Sequence, residues 1–261
     1  MDSQSNTDIQ PKNKQPKKRI RPFGIIDLIV VTTAMAVQFK LYSLHMASSK
    51  GDSGSMWVMM PVIFTYALSS GLALSALYWL PMQFSHTHKL FRQPGHWILG
   101  CFLIISIGGI ANWACLIGYD RSLTIDGNVA IIPSIGFLAI SISYLCGAIL
   151  FGIAAFKAQI RWRVAMIFLV VYFTTSAIRY AMFTLGLLGF FDSVFYFVLL
   201  CESIDQIVGV GAGIATLVAV CIDVARKPQR DWLHWIGVVV VVLNLLLASL
   251  LQLAITYFVA V

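Results

Sequence analysis

The sequence predicts an all-α fold, a polytopic transmembrane bundle of seven helical spans. Three observations carry this. Hydrophobic residues make up 59% of the 261 residues and charged residues only 11%, where a soluble domain carries roughly a quarter charged. Apolar runs of about 20 residues or more recur along the chain, each long enough to cross a bilayer. The basic residues concentrate in the tail and in alternate loops, as orientation signals do. The mean hydropathy of +0.85 agrees with all three.

Taken in order, residues 1–21 form a polar tail holding Lys12, Lys14, Lys17, Lys18, Arg19 and Arg21. Its composition cannot build a core, so it is expected to be a disordered, cytoplasmic segment. Beside the bilayer such a cluster attracts anionic lipid. A cleavable signal peptide is not expected, because a polar tail precedes a first apolar run that is too long. Residues 22–261 form the seven-helix transmembrane domain, with spans at about 23–47, 56–80, 97–119, 129–156, 162–189, 193–222 and 232–260. The second is expected to close at Pro81, since proline lacks the N–H a helix interior uses. With the N-terminus inside, the inner loops hold Lys89, Arg92, Lys157, Arg161, Arg163, Arg226, Lys227 and Arg230. The outer loops hold only Lys50 and Arg121. That distribution orients the chain with its N-terminus cytoplasmic and its C-terminus outside. Trp57, Trp97, Trp162, Trp232 and Trp235 fall at span ends, the level of an interfacial aromatic belt. The short connections at 157–161 and 189–192 make spans four, five and six antiparallel neighbours.

Charges inside the hydrocarbon are costly and need partners or water. Four stand out, with charges that cancel: Lys40 in the first span, Arg179 in the fifth, Glu202 and Asp205 in the sixth. At 1.5 Å per residue they lie roughly 25 Å or more from the cytoplasmic ends, in the outer part of the bilayer. Asn112 of the third span lies at a similar depth, and Gln206 sits beside Asp205, completing an expected polar layer. The tight turn between spans five and six sets Arg179 opposite Glu202, a pairing suited to a bidentate guanidinium. Asp205, one turn further on, is left for Lys40. The alternative for Lys40 is to snorkel outward. Asp27 sits near the headgroup zone beside Arg19 and Arg21, and Asn244 is isolated and expected to bond across helices. On the same helix as the acids, Gly209 and Gly213 form a small-xxx-small pair that permits close helix packing.

The five cysteines share no CxxC spacing and read as apolar filler rather than a disulfide framework. His86, His88, His96 and His234 could gather at the cytoplasmic face, where zinc, copper or a haem would be conceivable, but no HExxH motif and no neighbouring carboxylate supports a metal. No cofactor motif is found. The glycine-rich stretch from Gly209 lacks the strand that a nucleotide loop needs. The net charge of +7 lies in tail and loops rather than on a soluble face, which excludes nucleic acid as a partner. The Pro94-Gly95-His96-Trp97 segment resembles one in uncharacterised multi-pass membrane proteins of planctomycete-type bacteria; the resemblance implies no activity and carries no functional residue over.

The sequence leaves three functional readings. The first is a small transporter or permease-like protein of the cell inner (cytoplasmic) membrane, using the layer of Lys40, Asn112, Arg179, Glu202, Asp205 and Gln206. The second is a structural or sensory component whose buried pairs only hold the bundle. The third is a metal-dependent membrane enzyme using the inner histidines, with no catalytic residue assignable. Expected partners are the bilayer and its anionic lipids, with a homo-oligomer or a membrane partner protein open.

Overall fold

The computed structural model describes residues 24–48, 53–87, 91, 93–122, 131–190, 194–226 and 230–259. The basic tail and parts of the connecting loops lie outside them. Among the described residues every regular element is helical: α1 (Ile25–Ser48), α2 (Ser53–Leu74), α3 (Ala76–Thr87), α4 (Pro94–Ser122), α5 (Ile131–Lys157), α6 (Ile160–Leu187), α7 (Val194–Arg226), α8 (Trp232–Val241), a π-helical segment (Val242–Leu247) and α9 (Ala248–Val259). Stacked end to end, α2 with α3, and α8 with the π segment and α9, make seven rods. Among the described residues six stretches are long and apolar enough to cross a membrane by length and composition.

The distribution of side chains says what solvent the rods face. On α5 the outward face carries Ile135, Leu138, Ile142, Leu145, Ile149 and Phe156, all exposed. Its inward face carries Ser134, Gly136, Ser141, Gly147 and Ala148, all buried. Large apolar residues outside and small or polar ones inside invert the pattern of a soluble helix. They fit a bundle held by close packing and hydrogen bonds in lipid. The Ser141 hydroxyl donating to the Ala177 carbonyl at 2.8 Å is one such cross-helix bond, between α5 and α6.

Consecutive rods α4, α5, α6 and α7 pack side by side, and the last rod closes the ring against α7, α4 and α2, while α1 lies on α2 and α4. The turn after α6 uses Gly189 at φ +77, a left-handed conformation that costs glycine nothing. Pro81 does not end its rod, which continues to Thr87. The break falls instead at Ser75, whose hydroxyl bonds back to the Gly71 carbonyl at 2.8 Å. A proline inside a helix disturbs the turn before it and kinks more often than it terminates.

At the end of the bundle bearing Arg161 and Arg230, α4 and α8 cross almost backbone to backbone. A Cβ on Gly95 would lie 2.2 Å from the His234 carbonyl oxygen, and one on Gly237 would lie 2.2 Å from the Gly95 carbonyl oxygen. Only glycine fits at such a crossing. The Trp79 and Trp232 rings meet edge to face at 5.0 Å beside it. This basic end is therefore closed by tightly packed helix starts.

Candidate solute cavity and buried charge clusters

Two polar clusters lie inside the bundle, one past its middle and one at the basic end. The first is built around Arg179 of α6. Its Nη1 stands 3.3 Å from Asp205 Oδ2 of α7, and its guanidinium lies over the Tyr180 ring at 4.9 Å. Asp205 is buried and also accepts from the Thr175 and Ser176 hydroxyls, the latter at 2.9 Å. A carboxylate with a guanidinium and two hydroxyl donors is close to saturated. Arg179 is not, since its Nε is buried without a hydrogen-bond partner.

Beside Arg179 opens a cavity of about 410 Å³. Its polar wall includes Gln38, Ser70, Asn112, Arg179, Glu202 and Asn244; its aromatic wall includes Tyr66, Tyr144, Tyr172 and Tyr180. These come from α1, α2, α4, α5, α6, α7 and the π segment, so every rod contributes. Asn112 is buried and its Oδ1 has no hydrogen-bond partner. Asn244 donates to Ser69 Oγ at 3.0 Å, the cross-helix bond that its isolation in the last span calls for. It sits in the π-helical segment, where the Ala248 N–H reaches back to the Leu243 carbonyl. A widened turn of this kind often accompanies a functional site because it re-aims a side chain. Gly109 also lines the cavity, and a Cβ added there would meet nothing within 4 Å.

The pairing differs from the sequence expectation. Arg179 takes Asp205, and Asp205 does not take Lys40. Glu202 lies on the cavity wall. Lys40 is exposed on α1, outside the cavity, while Gln38 two residues earlier is buried and lines it. Two residues are about 200° of helix rotation, so only one of the pair can face inward. Turning in the neutral amide avoids desolvating an ammonium, and Lys40 takes the outward alternative. Gln206 is half-buried and does not line the cavity. Gly209 and Gly213 face the last rod: a Cβ would lie 3.4 Å from Ser249 Oγ at Gly209 and 2.6 Å from Leu246 Cβ at Gly213.

The sequence analysis does not anticipate the second cluster. Asp223 of α7 is buried, and its Oδ2 accepts from Trp162 Nε1 at 3.0 Å and Arg230 Nε at 3.0 Å. Arg161 Nη2 makes an ion contact to Oδ1 at 2.7 Å. Trp162 is therefore a core residue bound to a carboxylate rather than part of an interfacial belt. Asp231 caps α8, accepting from the His234 N–H at 3.0 Å, and its Oδ1 lies 2.9 Å from His96 Nε2. Burial works to raise the Asp231 carboxyl, but the His96 imidazole bound to it, together with the His234 N–H and ring, outweighs burial and holds it below the usual carboxylate range. Asp27 accepts from Trp79 Nε1 at 3.1 Å and from the Gly24 N–H at 2.7 Å.

The inner histidines do converge in part, yet in a different setting from the one expected. Carboxylates lie among them: Asp231 binds His96, and Asp223 Oδ2 stands 4.0 Å from His234 Nε2. His234 Nδ1 accepts the Gly95 N–H at 3.0 Å, so that lone pair is already used. Among the described residues no group of three or more His, Cys, Asp or Glu could hold a metal ion. His88 and the His86 side chain lie outside the described residues.

Fold and clusters together define a polytopic helical membrane protein with buried ionic networks and an internal polar cavity. Compared with known protein families, characterised proteins and solved structures, the chain matches none.

Proposed function

We propose that the protein is a small permease-like membrane protein that admits a polar solute to the Arg179 cavity. One observation carries the reading: an open space of about 410 Å³ is lined by the half-buried Arg179 and by polar side chains from the surrounding helices. A volume of that size is in the usual range for small-molecule sites. Bundle packing alone would fill it, because empty space forfeits dispersion contacts. The Arg179 guanidinium on the cavity wall suits a solute bearing a carboxylate or another acceptor oxygen, and the tyrosines supply apolar faces with hydroxyl edges. The basic loops support a cytoplasmic N-terminus, with the C-terminus outside. In that orientation the glycine crossing and the Asp223 cluster close the cytoplasmic end, and the cavity lies toward the outside. A cytoplasmic membrane of bacterial type is the setting proposed.

A second reading has its own observation. Asp205 is nearly saturated by Arg179, Thr175 and Ser176, as a purely structural ionic core would be. Thiol labelling separates the two. Ser106 lines the cavity and is buried. In a background lacking the native cysteines, Ser106→Cys is expected to react in intact membranes with a small charged thiol reagent. Gly109→Phe, which grows an aromatic ring into the open space, is expected to block that reaction while the protein stays folded. A Ser106→Cys thiol that stays silent beside a reactive surface control means a sealed core, and the structural reading then stands.

A further inference from the structure

Between α6 and α7, at the basic end and on the outside of the bundle, lies a groove of about 880 Å³. It is separate from the Arg179 cavity and independent of the function proposed for it. Its walls are Val164, Ala215, Val218 and Ile222, and its end is formed by Gln159, Arg161 and Arg226. Val164 and Val218 are exposed, so the groove opens to the surroundings of the bundle. Arg161 and Arg226 belong to the terminal turns of their spans, Ile160–Leu187 and Tyr196–Arg226. The apolar walls thus run at hydrocarbon depth and the two guanidinium groups sit at headgroup depth.

The charges at this end do not cancel. Asp223 is the acid that Arg161 contacts, and it is shared with Arg230. Arg226 makes no ion pair among the described residues and is exposed. Arg161 is held in place by Asp223, yet its Nε is buried without a hydrogen-bond partner. Arginine offers five N–H donors in a planar fork that matches phosphate oxygens. An apolar channel ending in an excess of such donors is complementary to a molecule with a negative head and a hydrocarbon tail.

We propose that this groove binds an anionic phospholipid. Its phosphodiester is held between Arg161 and Arg226, and one acyl chain runs along Val164, Val218 and Ile222. The occupant comes from the bilayer, where its acyl chain and its phosphate present themselves together.

The test uses the full chain reconstituted in vesicles of equal phosphatidylglycerol and phosphatidylcholine with matched acyl chains. Lipids retained after gentle extraction are counted by native mass spectrometry. The wild type is expected to retain phosphatidylglycerol over phosphatidylcholine by about tenfold, because both carry the phosphodiester but the choline ammonium cancels its charge and is repelled by the two guanidinium groups. Arg226→Gln is expected to remove most of that preference. Val218→Trp keeps both arginines but fills the groove, and is expected to lose the retained lipid. Arg163→Gln, an exposed arginine bonded to the Ala155 carbonyl and outside the groove, is the control and is expected to behave as wild type. Equal retention of the two lipids overturns the proposal. So does an equal effect of Arg226→Gln and Arg163→Gln, which is diffuse surface attraction, or full retention in Val218→Trp. Displacement by millimolar inorganic phosphate also overturns it, since the site then recognises the phosphate alone.

Discussion

The Asp223 cluster makes the sharpest stability prediction. Replace Asp223 by Asn, which keeps the shape and one acceptor oxygen but removes the charge. In the wild type, Oδ2 accepts two aligned bonds, from Trp162 Nε1 and Arg230 Nε, and Oδ1 faces Arg161 Nη2 at 2.7 Å. Bonds to a charged acceptor contribute about 1.5–3 kcal/mol each, and breaking one partner of a buried ion pair costs about 3–5 kcal/mol. The two figures describe overlapping contacts and do not add. Both arginines retain slight exposure, with 11% and 12% of their side chains accessible, so each can turn toward headgroups and recover part of the loss. The expected cost is therefore about 3 kcal/mol, the low end of the buried-pair range. Neutral interhelical bonds in membrane proteins average only about 0.6 kcal/mol, so a cost of this size must come from the charge. Trp162→Phe removes one donor and leaves the carboxylate its arginines, so it is expected to cost less than Asp223→Asn. The assay is reversible denaturant unfolding of the purified protein in mixed micelles, followed by tryptophan fluorescence and circular dichroism. An Asp223→Asn protein within about 1 kcal/mol of wild type would mean a hydrated cluster and would refute the packing argument.

Four more outcomes follow from the same geometry. Gly109→Ala is expected to stabilise by about 0.5–1 kcal/mol, because it raises helix propensity and its methyl enters open space; a loss of stability in the same unfolding assay would argue against the cavity. Gly237→Ala is the same chemical change with the opposite sign, expected to destabilise by about 1–3 kcal/mol because its Cβ would strike the Gly95 backbone. Arg179→Gln is expected to cost about 3–5 kcal/mol by leaving Asp205 with hydroxyl partners alone, and adding Asp205→Asn should recover part of that loss in a double-mutant cycle. Asp231 sets a pH dependence. Its folded pKa is depressed, so its contribution is full above the unfolded value of about 3.9 and is lost as pH falls through the folded value. Unfolding midpoints measured downward from neutral pH are expected to fall faster below about pH 4 in wild type than in Asp231→Asn, and parallel curves would refute the assignment.

How much of this was legible in the sequence depends on the length scale of each signal. Apolar runs and loop charges are local quantities, so the helices and their antiparallel order could be read directly. The short turns that made spans four, five and six neighbours are local as well. Which face of a helix points inward is not local. Gln38 and Lys40 are two residues apart, and only packing against α2 and α4 decides between them. Arg179 could be placed at the depth of the α7 acids, but a shift of one turn separates Glu202 from Asp205, and depth counted along tilted helices does not resolve one turn. Arg161 and Arg230 are read only as loop charges of two different connections, and Asp223 at the end of α7 carries no expectation of its own. A signal did exist: an acid at the very end of an apolar span, flanked in sequence and across the bundle by arginines, is costly unless they meet.

The contrast between the two clusters is what gives the cavity its weight. In the basic-end cluster the acids are well supplied: Asp223 has two arginines and an indole, Asp231 an imidazole and a backbone amide, Asp27 an indole and an amide. The surrounding space there is filled by tryptophans and a glycine crossing. That is the composition of a closure, with helix ends held together by ion pairs and caps, although Arg161 Nε, His96 Nδ1 and His234 Nε2 keep no hydrogen-bond partner. Past the middle of the bundle the polar groups stand around open volume, with an Arg179 donor and an Asn112 acceptor left over. Unspent hydrogen-bonding capacity in a buried site costs free energy unless water or a solute uses it. Unpartnered polar atoms occur at both ends, so the difference is volume: the Arg179 cluster stands beside an open cavity, which forfeits dispersion contacts that packing alone would keep. The asymmetry fits a protein that is locked at one end and receptive toward the other.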